Sequence, residues 1–346
     1  MRAMNRRRFL TRAGSAGSLA LAATAAGCAA TPAAPEAAAT PVRTLPQGLA
    51  TNLTLLTFRV DGVDRLGAKT EKGILDVAAA AAALTMYAPA TLDDMLQQED
   101  GPSVKAVVEA ALKDAAAASA FRDEASLTYG PLLSRPDKIV CVGLNYREHA
   151  KEIGSPIPTH PVLFNKFTAS LNAHQGTVTL PVDLATNFDY EAELVIVIGR
   201  TARRVSQADA LSYVAGYATG NDFTARDLQN GRGGQWMVGK AIDGFAPLGP
   251  YLVSAEQVDP DTLTVECRVN GETRQSSNTA DFIFNTRQMI SYISDYFTLK
   301  PGDIIFTGTP QGVIQGKPRD QQVWLKPGDS VACSVGALGE LSFRLV

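Results

Sequence analysis

Asp189-Tyr190-Glu191-Ala192-Glu193 runs directly into the apolar segment Leu194-Val195-Ile196-Val197-Ile198. Side chains on a strand alternate between faces, so Glu191 and Glu193 leave the same face, about 7 Å apart along the chain. Two carboxylates side by side repel each other, so either one is held protonated or a cation sits between them. The alternative is the solvated face of an edge strand, where Glu is ordinarily found.

The rest of the chain bounds these choices. Its 346 residues suffice for one large domain or for a small domain followed by a larger one. A hydrophobic content of 45% and a charged content of 19% are those of a folded globular protein. The formal net charge of -3 leaves no basic footprint, which argues against a nucleic-acid partner. A substrate anion would have to be gathered by local cations, not by the field of the whole molecule. Of the four cysteines, Cys28 lies near the N-terminus; Cys141, Cys267 and Cys333 are widely spaced, with no CxxC, and read as small buried residues, not as a disulfide framework.

Residues 1–28 read as an export signal. Asn5-Arg6-Arg7-Arg8-Phe9-Leu10 matches a twin-arginine pattern and precedes a weakly apolar Ala/Gly/Leu run. Ala25-Ala26-Gly27-Cys28 resembles a lipoprotein cleavage box, which makes Cys28 a candidate lipid anchor and predicts a periplasmic or membrane-anchored protein. Residues 29–49, rich in Ala, Pro and Thr, read as a disordered linker. Residues 50–133 form a small α+β N-terminal subdomain in this reading. Its strands are Leu53 to Phe58 and the stretch after the Asp61-Gly62 turn; its helices are Leu92 to Gln98 and Val104 to Ala118. It holds no chemical constellation.

From 134 to 346 the character changes. Lys138 to Gly143 reads as a buried strand, and Leu144 to Glu152 as a loop entering a helical turn. On a helix, His149 and Glu152 share a face within contact distance. A carboxylate beside an imidazole orients it and raises its basicity, so the pair could take a proton from water. Asn221-Asp222, at the end of a later strand, can supply a third carboxylate. Asn270-Gly271 signals a hairpin, Phe284 to Tyr296 a helix, and Ser206 to Tyr213 a shorter helix-like segment.

Five segments together resemble the fumarylacetoacetate hydrolase family. They are Gly143-Leu144-Asn145-Tyr146 with His149; Asp189-Tyr190-Glu191-Ala192-Glu193-Leu194; Asn221-Asp222 with Thr224 to Gln229; Gly239-Lys240 with Asp243; and Thr307-Gly308-Thr309-Pro310 with Gly312. The resemblance covers residues 136 to 346 and implies a mixed, β-rich α+β fold of rolled sheets with flanking helices. It implies metal ligation by Glu191, Glu193 and Asp222, whose oxygens suit Mg²⁺ or Mn²⁺. It gives His149 and Glu152 the activation of water and Lys240 the stabilisation of developing negative charge. Arg226, Gln229 and Thr309 match substrate-facing positions. Arg232, in the Gly-rich run Asn230 to Trp236, is a candidate for a second acidic group of the substrate. Larger members place a further metal-binding Asp seven residues before the His, where this chain has Val142.

The resemblance implies hydrolysis of a carbon-carbon bond in a small, acylpyruvate-like β-diketo acid, by way of an enolate held on the metal. A 2-hydroxyhepta-2,4-dienedioate-type isomerase or an oxaloacetate-type decarboxylase is the nearest rival, since all three reactions share that enolate. A further rival is an exported binding protein that has lost the chemistry. Family members are commonly dimers, so a homodimer is expected. Asp189 shares the face of Glu191 and Glu193 by strand parity but is not carried over as a ligand.

Overall fold

The strand Ala192–Ile198 is buried along its whole length. Leu194, Ile196 and Ile198 pack into one apolar cluster, while Val195 and Val197 pack into another on the opposite face. This explains the uninterrupted apolar run: a strand covered on both faces has no solvent side to mark with polar residues. Glu191 and Glu193 share parity with Val195 and Val197. The computed structural model describes residues 47–346, so the export signal at 1–28 and the linker up to 46 lie outside the described residues.

Ala192–Ile198 sits inside an eleven-stranded sheet, between Val214–Asn221 and Ile304–Phe306, both antiparallel to it. Ile139–Gly143 runs parallel to Ile304–Phe306 and pairs with Val162–Lys166 at one edge. On the other side Val214–Asn221 pairs with Leu252–Ser254, which pairs with Thr54–Val60, and the sheet continues through Val63–Thr70 and Gly73–Asp76. The boundary set at 133/134 therefore falls within one hydrogen-bonded sheet. Strand pairing between such distant residues leaves no local mark in a sequence. At the other end of that stretch, Gly48 already bridges Asp100, inside the segment assigned to the linker.

A second, five-stranded sheet runs Glu272–Asn278, Thr264–Val269, Ser330–Val335, Glu340–Leu345, Gly176–Val178. Its apolar face and the helix Thr286–Tyr296 close one cluster; the helices Val77–Ala83 and Gly101–Ala111 cover the other. The expected elements have local causes. Asn270 and Gly271 both take positive φ, as the two-residue turn joining Thr264–Val269 to Glu272–Asn278 requires. Asn285 and Gln288 form a reciprocal capping box at the start of Thr286–Tyr296.

Two helical expectations differ. Val104 to Ala118 is broken: the helix spans Gly101–Ala111, and a 3-10 turn follows at Ala115–Ala120, begun by the Asp114 side chain. Ser206 to Tyr213 forms only a 3-10 turn at Ala210–Tyr213. Cys141, Cys267 and Cys333 are buried and free, with 3.6 Å between the last two sulfurs. No helix among the described residues is long and apolar enough to cross a membrane.

One buried carboxylate fastens the strands that carry the site. Asp303 accepts hydrogen bonds from Lys138 N (2.7 Å) and Lys300 N (2.8 Å), and its Oδ2 pairs with the Lys138 ammonium (2.9 Å). It thereby fixes the turn before Ile304–Phe306 against the start of Ile139–Gly143. Asp303→Ala orphans both amides and should cost about 2–4 kcal/mol of stability in urea unfolding. A loss below about 0.5 kcal/mol would show that this tie carries little.

Candidate active site

The strand register assembles the carboxylates. Ala192 lies opposite Asn221 and Glu193 opposite Gly220, so Asp222 comes to rest across from Glu191, its N–H donating to Glu191 O at 2.9 Å. Residues opposite one another in a ladder share a face, which puts Asp222 on the side of Glu191 and Glu193. Ligand atoms of these three buried carboxylates lie within 4.8 Å of one another. A side chain at Gly220 would collide there, its Cβ falling 2.5 Å from Val195 Cγ2 and 2.8 Å from the Phe306 ring.

Cations surround the cluster unevenly. Lys240 Nζ bridges Glu191 Oε2 (2.6 Å) and Asp222 Oδ2 (2.8 Å). Lys166 Nζ meets Asp222 Oδ1 at 2.5 Å and donates to Phe223 O. Arg226 spans two acids, with Nε 2.9 Å from Asp189 and its terminal nitrogen 2.6 Å from Glu191 Oε1. Glu193 receives the Gly308 N–H at 2.8 Å, and no ion pair reaches it among the described residues.

The protonation equilibria follow this pattern. Burial works to raise the Glu191 pKa, but Lys240 and Arg226 outweigh it and hold it at about 2. At Glu193 burial is joined by Asp222 and Glu191, and the pKa is pushed well above the ordinary carboxylate range. Burial opposes the charge on Lys240, yet Asp222 and Glu191 prevail and raise its pKa.

These residues fit a divalent metal. Four buried carboxylates, counting Asp189, face three cations, so one acid, Glu193, is left without an ionic partner; burial and its acidic neighbours favour its protonated form, which a bound cation would displace. An all-oxygen set of this kind suits Mg²⁺ or Mn²⁺. Asp189 has no capacity to spare: its oxygens already accept from Ile314 N, Gln315 N, Tyr190 N and Arg226 Nε.

Facing the carboxylates across a cavity of about 80 Å³ stands the short helix Arg147–Glu152. His149 lines the cavity, 7% exposed, and its Nδ1 lies 3.1 Å from Glu152 Oε2. Asn145 anchors the approach to this helix. Its amide nitrogen donates to Thr307 O and Phe284 O, and its Oδ1 accepts from Phe284 N. Val142, Ile153, Phe164, Trp236 and Val313 supply apolar wall, and Val142 offers no fourth carboxylate.

The other expected residues divide. Gln229 and Thr309 line the cavity with Arg226 and Lys240. Gln229 Oε1 accepts from Arg226 at 3.0 Å, whereas the Thr309 hydroxyl donates to Ala192 O and accepts from Gln275, so it serves the backbone. Arg226 is turned inward on Asp189 and Glu191. Arg232 is exposed and does not line the cavity, because its Gly-rich loop carries it into solvent.

Lys166 escaped the sequence reading. The available signal was a lone Lys inside the strand Val162–Lys166, where burial without a partner would be prohibitive. Trp236 was missed as well. It packs edge-on to Phe164 at 5.3 Å and fills the space a side chain at Gly143 would need.

The family model for the fumarylacetoacetate (FAA) hydrolase C-terminal region matches residues 138–346. Oxaloacetate tautomerase FAHD2A, mitochondrial, from Bos taurus is 41% identical over 260 residues, covering 75% of this chain and 80% of that protein. The 2,4-didehydro-3-deoxy-L-rhamnonate hydrolase of Sphingomonas sp. (strain SKA58) is 46% identical over 231 residues, covering 66% and 80%. Among solved structures, fumarylacetoacetate hydrolase from Exiguobacterium antarcticum superposes with a TM-score of 0.67 at 31% identity, covering 85% of this chain and 99% of that one. Fumarylpyruvate hydrolase from Pseudomonas aeruginosa, in complex with Mn²⁺ and pyruvate, gives a TM-score of 0.55 at 36% identity, covering 61% and 90%.

These relatives correct one expectation. Bovine FAHD2A is mitochondrial by name, which contradicts twin-arginine export to the periplasm, and neither that address nor a lipid anchor at Cys28 is retained. The twin-arginine match and the apolar run after it are short patterns, and Arg-rich segments without acidic residues occur in several targeting classes, so they did not single out export. On the matched domain, the sheet-rich fold and these relatives, the chain is an enzyme of the fumarylacetoacetate hydrolase family.

Proposed function

We propose that this enzyme moves a proton on a small 2-oxo acid of the oxaloacetate type, interconverting keto and enol forms, with isomerisation or decarboxylation as outcomes of the same chemistry. The observation that carries this is His149, buried at the cavity wall and held by Glu152 at 3.1 Å, facing the cluster Glu191, Glu193 and Asp222. A tautomerase at 41% identity supports the reading.

A divalent ion held by Glu191, Glu193 and Asp222, Mn²⁺ or Mg²⁺, would polarise the 2-oxo group and acidify the neighbouring carbon. His149 then acts as the proton carrier. With Glu152 accepting its Nδ1–H, the imidazole presents Nε2 to the cavity as a base and returns the proton as an acid. Lys240, buried and charged, offsets negative charge growing on the substrate oxygen. Val142, Ile153, Phe164, Trp236 and Val313 would limit the access of competing water from their side of the cavity. The choice of Mn²⁺ draws support from the Pseudomonas aeruginosa fumarylpyruvate hydrolase, solved in complex with Mn²⁺ and pyruvate.

A second reading is hydrolysis of an acylpyruvate-like β-diketo acid, in which the same His149–Glu152 pair deprotonates water for attack on the distal carbonyl. Product analysis separates the two. Oxaloacetate enol decay, carbon dioxide release and pyruvate release from acetylpyruvate are followed in parallel with Mn²⁺ or Mg²⁺ present. Rapid enol–keto exchange without cleavage of acetylpyruvate supports proton transfer; cleavage without exchange selects hydrolysis.

His149→Asn is expected to lower turnover roughly 10²- to 10⁴-fold while leaving Mn²⁺ affinity unchanged. Wild-type turnover in that variant would remove His149 from the chemistry. Glu193→Gln should abolish stabilisation by Mn²⁺ in thermal unfolding. Without metal it should unfold at the same temperature as the parent or higher, because the amide keeps the neutral form that burial already favours at Glu193. Retained stabilisation by Mn²⁺ would exclude Glu193 as a ligand.

A further inference from the structure

We propose that the backbone turn 312–316 is the seat that fixes the Glu152 carboxylate against His149, with Gly316 as a positioning residue; this rests on the roles given above to His149 and Glu152. Glu152 closes the short helix Arg147–Glu152, which has no side-chain cap at its N-terminus. Two further contacts hold the acid in place. Its Oε1 accepts from Gly312 N at 2.9 Å. Its other side lies flush against Gly316, where an added Cβ would fall 2.2 Å from Glu152 Cδ and 2.5 Å from Oε2.

The two glycines differ in kind. Gly312 has φ +100, a conformation that favours glycine, and a Cβ there would also strike Arg274 O at 2.3 Å. Gly316 has no positive φ, so its backbone would accept alanine, and the three nearest atoms to a Cβ all belong to the Glu152 side chain. What a side chain at 316 would displace is the end of a flexible carboxylate, not the fold. The acid in contact with His149 gives this position a reason to lack a Cβ.

The same turn reaches the carboxylate cluster. Ile314 N and Gln315 N donate to Asp189 at 2.9 and 3.1 Å; Asp189 holds Arg226, and Arg226 holds Glu191. Tyr190 Oη donates to Gly312 O at 2.8 Å and closes the connection. One short segment thus sets the acid–base pair and the metal-side acids in a common frame. A misplacement of about 1 Å in such a frame costs roughly a hundredfold in rate.

The test compares Gly316→Ala in the parent and in Glu152→Asp, whose carboxylate ends one methylene short of the new methyl group. Turnover is measured with Mn²⁺ and either oxaloacetate or acetylpyruvate, whichever the parent converts faster, alongside Mn²⁺ affinity and a crystal structure of G316A. In the parent, G316A should lower kcat roughly a hundredfold with KM and Mn²⁺ affinity within about twofold, and the Glu152 carboxylate should move by about 1 Å. In the E152D background the same change should cost less than about threefold. Equal costs in both backgrounds, no cost in the parent, a loss confined to KM or Mn²⁺ affinity, or an unmoved carboxylate would each overturn the seat. Glu152→Ala separates the two levels: if it keeps wild-type turnover, the role given to Glu152 fails; if it collapses while G316A is indifferent, only the seat fails.

Discussion

Four carboxylates and three cations share one buried pocket, and the balance between them constrains the rest of the structure. Asp189, Glu191, Glu193 and Asp222 face Lys166, Arg226 and Lys240, nearly all of them shielded from water. Charges so buried are tolerated only when paired and hydrogen-bonded. The pairing is completed at three acids and withheld at Glu193, which is left with one backbone amide and a pKa driven upward by burial and its acidic neighbours. A buried acid left without a cationic partner marks a candidate functional site.

The fold places this unpartnered acid and His149 on the same cavity. The acids come from neighbouring strands of a sheet buried on both faces, while His149 comes from a helix fastened through Asn145 to the Thr307 and Phe284 backbone. Between them lies a small cavity with apolar walls, where charges interact more strongly than they would in water. A 2-oxo acid bound there would meet positive charge on one side and a base on the other. Keto–enol exchange, decarboxylation and hydrolysis can all begin from that arrangement, and the relatives include proteins named as a tautomerase and as hydrolases.

Much of this was legible in the sequence for local reasons. The apolar run after Glu193 marks a strand, Asn270-Gly271 a turn with two positive φ values, and the 191/193 spacing a shared face. Asp222 was offered as a third carboxylate by its place at a strand end and given its ligand role by the family resemblance, while the register that places it across from Glu191 is a long-range fact that spacing alone does not contain. The partners of the charges were less legible. Arg226, expected toward substrate, is drawn to Asp189 and Glu191; Thr309 spends its hydroxyl on the backbone; Arg232 is carried into solvent by glycines. Lys166 was overlooked because its reason for being buried lies on a different strand. Ala-rich stretches misled in a simpler way, since in the run from Val104 to Ala118 a single Asp114, whose side chain begins the 3-10 turn, marks the break after Ala111.

The central claim is that the unpartnered carboxyl of Glu193, together with Glu191 and Asp222, holds a divalent ion. Anomalous diffraction from Mn²⁺-soaked crystals tests it most directly. The account predicts one strong peak per chain in contact with carboxylate oxygens of Glu191, Glu193 and Asp222. A peak on Asp189 in place of Asp222, or none at Glu193, would contradict it.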